Sequence, residues 1–147
     1  MENNLELLIN RLFPEKLPTP EELAKKYPNR QVPNGALVTR VAPSPTGFVH
    51  FGGLYASLIS ERLAHQSQGI FYLRIEDTDK KREVAGTADL FASAIHQYGI
   101  HYDEGPDEKG QEKGNYGPYK QSERADIYKS YIKELIRQGK AYPCFAT

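Results

Sequence analysis

An α/β fold built on a doubly wound, largely parallel sheet is predicted by three observations on this 147-residue chain. From Ala36 onward, short runs rich in β-formers alternate with helical patterns. Each of those helical patterns is closed by a glycine, at Gly69, Gly99 and Gly139. The first strand also runs directly into a Pro- and Gly-punctuated turn that opens a helix. Such a β–α–β alternation implies parallel strands joined by right-handed crossovers.

Residues 1–35 have a different texture and read as a helical N-terminal extension. Leu5, Leu8, Ile9 and Leu12 recur at helical spacing and stop at Pro14. Thr19-Pro20-Glu21-Glu22 supplies an N-cap, a first-position proline and a capping-box glutamate for a second helix ending near Tyr27. Pro28-Asn29 and Pro33-Asn34-Gly35 are turns. The extension reads either as a packing appendage or as a tRNA- or partner-binding segment.

The region 36–147 then alternates. A strand over Ala36 to Ala42 leads to a helix over Phe51 to Gln68, with Leu54, Leu58, Ile59 and Leu63 expected on its buried side. Ile70 to Ile75 is a second strand. A helix over Thr87 to Tyr98 carries Leu90, Phe91, Ala94 and Ile95. Ile100 to Tyr102 is expected as a third strand, and Gly105 to Gly117 as an aperiodic polar loop. Ser122 is expected to cap a last helix bearing Ile127, Tyr131, Ile132, Leu135 and Ile136. Ala141 to Phe145 is expected as a fourth strand.

Composition narrows the function. With 39% hydrophobic and 26% charged residues the chain is ordinary for a folded domain. Nineteen basic residues balance nineteen acidic ones, which argues against a chain that grips nucleic acid mainly by bulk electrostatics, though local patches can hold tRNA. The ten tyrosines offer stacking faces for single-stranded ends, or half-buried packing. A single cysteine leaves no internal disulfide framework and fits a reducing, cytoplasmic setting. No membrane span and no leader segment is expected.

The strand–turn–helix at Arg40 to Gly53 carries the chemistry. The first amides of a helix are unpaired and its dipole favours anions, which makes the junction a phosphate site. Gly47, Gly52 and Gly53 allow close backbone approach, Pro43 and Pro45 hold the turn extended, and His50 adds a side-chain donor. In such folds ligands bind beyond the carboxyl ends of the strands, where Glu76 and Asp77 also fall.

The string Arg40-Val41-Ala42-Pro43-Ser44-Pro45-Thr46-Gly47-Phe48-Val49-His50-Phe51-Gly52-Gly53 resembles the His-x-Gly-His signature of class I aminoacyl-tRNA synthetases, in the form typical of glutamyl-tRNA synthetases. Arg74 to Asp79, Asp103 to Pro106, Gly117 to Arg124 and Gly139 to Cys144 resemble later landmarks of the same family, in order. The resemblance implies a Rossmann-like sheet, the first half of a class I catalytic domain. It implies activation of glutamate by ATP with Mg²⁺, and transfer of glutamate to tRNA(Glu). It makes Arg40, Ala42, Ser44 and Glu76 the glutamate site, with Arg40 on the substrate carboxylate and Glu76 on its ammonium. Pro43, Thr46, Gly47, His50, Gly52 and Gly53 become the ATP site, with His50, Gly52 and Gly53 closest to the chemistry. Gly53 stands where the class signature has its second histidine.

Three departures accompany the resemblance. Cys144 is followed by Ala146 where some relatives carry Cys-x-Cys, and one thiolate cannot build a four-ligand zinc site, so no zinc is expected. No Lys-Met-Ser-Lys-Ser-type loop occurs in these residues, so the isolated chain is expected to fold without aminoacylating tRNA. The helical extension is uncommon at the family's usual start. Two other functions remain open at this point: the related enzyme that glutamylates queuosine in tRNA, and a non-catalytic nucleotide- or amino-acid-binding module.

Overall fold

The computed structural model describes residues 2–144 and 146. In chain order its elements are α1 (Glu2–Leu12), α2 (Pro20–Lys26), β1 (Val38–Val41), α3 (Phe51–Gln66), β2 (Ile70–Leu73), α4 (Thr87–Gln97), β3 (Gly105–Pro106), β4 (Glu112–Lys113) and α5 (Ala125–Arg137). They fall into two compact units, residues 29–123 and residues 1–28 with 124–147.

In the first unit β1 and β2 pair in parallel, with Val38 opposite Ile70 and Val41 opposite Leu73. The backbone of β2 serves two neighbours because successive amides of a strand point to opposite sides. The N–H groups of Ile70, Arg74 and Glu76 donate to Leu37, Val41 and Pro43 on the β1 side. Those of Leu73 and Ile75 donate to Glu104 and Tyr119 on the other side, where parallel bridges Tyr72–Glu104 and Ile75–Lys120 form. A sheet that grows in one direction through right-handed crossovers carries its helices on one face. Accordingly Ala64 of α3 and Phe91, Ala92 and Ile95 of α4 share one buried cluster with Phe71, Leu73 and Ile75.

Several expectations are corrected here. The third strand is reduced to the bridge at Glu104, because the Ile100 N–H closes α4 on Ile95 O and the Ile100 and Tyr102 side chains fill the core. The expected loop after it holds the short antiparallel hairpin β3–β4. Residues 141–144 form no strand; Ala141 N–H turns back to Leu135 O, and Phe145 lies outside the described residues. Ser122 does not cap α5, which begins at Ala125 after a 3₁₀ turn over Gln121–Arg124.

The buried side of α3 also differs. Ser57, Glu61 and Ala64 are buried, whereas Ile59 is 42% and Leu63 47% exposed; Leu54 and Leu58 sit at the margin of the core. The small side chains of Ser57 and Ala64 let the helix lie close to the sheet. The Ser57 hydroxyl donates to Gly53 O at 2.7 Å, and Glu61 lies 3.3 Å from His65 Nδ1. The end of α3 is equally specific: Gly69 N–H reaches Ala64 O and Gln68 N–H reaches His65 O, a Schellman closure with Gln68 in the left-handed region at φ 59°. Gly69 is reserved for another task, since a Cβ there would lie 1.8 Å from Leu37 O.

In the second unit α1 and α2 both pack on α5, burying Ile9, Leu23 and Ile136. The capping box of α2 forms as expected, with Thr19 and Glu22 each bonding the other's backbone N–H. Arg137 pairs with Glu6 at 2.6 Å, and Lys129 with Glu15.

Candidate active site

The turn after β1 is held from beneath by backbone bonds. Pro43 O accepts from Glu76 N–H and Pro45 O from Val84 N–H, at 2.9 and 2.8 Å, while Thr46 N–H closes on Ser44 O. Neither proline can donate, so their carbonyls take the bonding role. Above this turn opens a cavity of about 330 Å³ between the turn, the start of α3 and the start of α4. Ala42, Pro43, Ser44, Thr46, Gly47, His50 and Gly53 line it, together with Thr87 and Phe91 of α4.

His50 is the N-cap of α3: its Nδ1 accepts from Gly53 N–H at 3.3 Å. That bond leaves Nε2 of the neutral ring as the donor an anion would meet. It also means that Gly53 N–H is already engaged, so the amides at the start of α3 are not all free for an anion. Gly52 keeps the ring in place, since a Cβ there would crowd it at 3.2 Å.

Arg40, Gly52 and Glu76 do not line the cavity. Strand periodicity explains Arg40 and Glu76: they alternate with Val41 and Ile75, which face the cavity, and so belong to the opposite face of the sheet. There they meet. Glu76 lies 3.7 Å from Arg40 and accepts from Arg74 Nη2 at 2.8 Å. All three are partly exposed, at 32% for Glu76, 40% for Arg40 and 20% for Arg74. The site is thus two-sided: an anion-suited turn on one face, and a carboxylate between two guanidiniums on the other.

Asp77 follows immediately and is buried. It accepts from Ser122 through both N–H and hydroxyl, at 2.8 and 2.5 Å, with Lys80 Nζ at 3.4 Å. Burial alone would push its carboxyl up; the Ser122 bonds outweigh it and hold the group below the usual carboxylate range. The sequence offers neither Arg74 nor Ser122 as a site residue; Ser122 reads there as a helix cap. The spacing of Arg74 and Glu76, two apart on one strand face, was the available signal for the first. Nothing local signals the second, because its partner is 45 residues away.

A parallel β–α–β unit whose first strand–turn–helix junction forms the cavity defines a Rossmann-type nucleotide-binding frame. Residues 36–147 match the family of class I tRNA synthetases (E and Q), catalytic domain, and the chain belongs to that family. A glutamate–tRNA ligase of Clostridium perfringens (strain 13 / Type A) is 58% identical over 97% of the chain, which covers 26% of that protein. One from Clostridium beijerinckii is 50% identical over 98% of the chain and again 26% of the relative. The crystal structure of a glutamate-tRNA synthetase from Elizabethkingia anophelis superposes with a TM-score of 0.62 at 40% identity, over 69% of this chain and 20% of that one. The chain spans about a quarter of the length of the curated relatives it matches.

Proposed function

We propose that residues 36–147 are the N-terminal part of the catalytic domain of a glutamate–tRNA ligase, with residues 1–35 as a helical extension. The full polypeptide activates glutamate with ATP and passes it to tRNA(Glu). The observation that carries this reading is the meeting of Arg40 and Glu76 at the carboxyl ends of β1 and β2, beside the strand–turn–helix junction.

The substrate carboxylate is already a nucleophile at neutral pH, so attack on the α-phosphate of ATP needs no general base. Positioning and stabilisation of phosphate charge carry the rate. On this reading His50 Nε2 and the backbone of Thr46, Gly47, Gly52 and Gly53 meet the phosphates, and Pro43 lines the nucleotide side. Arg40 takes the side-chain carboxylate of glutamate, Glu76 its ammonium, and Ala42 and Ser44 its backbone. Among the described residues no carboxylate lines the cavity. Mg²⁺ would be held by the ATP phosphates and water, where it would supply neutralisation of phosphate charge. With a single cysteine in the chain, no zinc site is proposed.

No helix among the described residues is long and apolar enough to cross a membrane. A cytoplasmic setting is supported by the single cysteine and by the need for tRNA. The test is ATP–pyrophosphate exchange by the full-length polypeptide with tRNA added. Exchange should depend on glutamate and not on glutamine. Arg40→Gln should raise the KM for glutamate about 10- to 150-fold, the weight of one charge-assisted hydrogen bond. Exchange driven equally well by another amino acid would sink the reading.

A further inference from the structure

We infer that Arg74 is a positioning residue for glutamate, acting through Glu76 to keep Arg40 available for the substrate carboxylate. The inference rests on the proposed ligase reading and adds a residue to it. One carboxylate sits between two guanidiniums, and the two are not equivalent. Arg74 Nη2 makes a true hydrogen bond to Glu76 Oε1 at 2.8 Å, whereas Arg40 Nη1 stays at 3.7 Å from the same oxygen, beyond hydrogen-bond reach. Arg74 is also the more buried of the two, and its buried Nε makes no hydrogen bond among the described residues. Among the described residues, Glu76 is the charged partner of the Arg74 fork.

Geometry fixes this arrangement. Arg74 and Glu76 are two apart on one extended segment and so share a face, and both backbone N–H groups are locked to the β1 side, on Val41 O and Pro43 O. Arg40 comes from the neighbouring strand, where its register partner is Tyr72. With Arg74 present, the cluster of two cations and one anion keeps a net positive charge, and that charge is carried by the looser partner, Arg40. An incoming carboxylate meets a guanidinium that is not hydrogen-bonded to Glu76. Without Arg74, Glu76 needs less than 1 Å of movement to close on Arg40, from 3.7 Å to an ordinary hydrogen-bond distance of about 2.8 Å. The substrate would then have to break that internal pair, and glutamine, which lacks the charge, would lose far less than glutamate.

The experiment is steady-state exchange kinetics on the full-length polypeptide, with tRNA, for wild type, Arg74→Gln, Arg74→Lys, Glu76→Gln and the Arg74→Gln/Glu76→Gln double variant. Arg74→Gln should raise the KM for glutamate about tenfold or more, with a much smaller effect on the KM for ATP, and should narrow the preference for glutamate over glutamine. Arg74→Lys, which restores the charge without the fork, should recover part of the loss. In the Glu76→Gln background Arg74→Gln should add little, because its action runs through Glu76. An unchanged KM for glutamate, equal losses for glutamate and ATP, or additive effects in the double variant would overturn the inference while leaving the ligase reading intact. Absence of glutamate-dependent exchange in the wild type would instead overturn the ligase reading, and the inference with it.

Discussion

Asp77 shows how a single side chain ties a distant segment to the end of a strand. Its carboxylate takes two bonds from Ser122, and its depressed pKa reports that the ionised form is the one the fold uses. A carboxyl whose folded pKa lies below the ordinary value near 3.8 contributes its full stabilisation above that pH and loses it as pH falls through the lower folded value. Asp77→Asn should therefore cost about 1–3 kcal/mol near neutral pH. The gap to wild type should close in strong acid, once Asp77 is itself protonated. Urea unfolding at steps from about pH 7 down to about pH 1 follows the whole loss; a gap that does not shrink at the acid end would show that the charge is irrelevant.

At the scale of elements, α3 is the informative case. Its apolar residues at Leu54, Leu58, Ile59 and Leu63 suggested one buried side, yet Ser57, Glu61 and Ala64 are the residues turned inward. Hydrophobic count is a poor guide where a helix must approach a sheet closely, because the contact then selects small side chains, here Ser57 and Ala64. The consequence is testable by paired substitutions. Ala64→Leu, at a fully buried position in the core cluster, should destabilise by about 1–3 kcal/mol through overpacking. Leu63→Ser, next to it and 47% exposed, should stay within about 0.5 kcal/mol. Chemical denaturation of the two variants side by side decides whether the helix sits as described; the reverse ranking would mean that it is rotated.

For the molecule as a whole, the proposed reading gives the chain one side of a phosphate-transfer site. The turn, His50 and the start of α3 supply donors, but these residues contain no Lys-Met-Ser-Lys-Ser-type loop. A transition state with charge spread over the phosphates needs donors on more than one side. The 147-residue chain alone should therefore exchange pyrophosphate at least about a hundredfold more slowly than the full-length polypeptide. The two preparations assayed side by side, with tRNA and glutamate, give the comparison; similar rates would show that the second cationic group is dispensable.

Signals confined to a few neighbouring residues were legible in the sequence alone. The capping box at Thr19 and Glu22, the glycine-closed ends of α4 and α5, the extent of β1, α3 and β2, and the strand–turn–helix junction all follow from local backbone preference and short-range hydrogen bonds. So did the candidacy of Arg40 and His50 in one contiguous motif, and of Glu76 in a second one at Arg74 to Asp79. Tertiary structure decided what depends on partners far along the chain. It set which side of α3 is buried, placed Gly69 against Leu37, and took Ser122 from helix capping to Asp77. It also placed Tyr119, rather than a strand after α5, beside Ile75. The physical reason is the same in each case: a backbone group or carboxylate takes whichever donor the packed fold brings within about 3 Å, and sequence spacing carries no record of that distance.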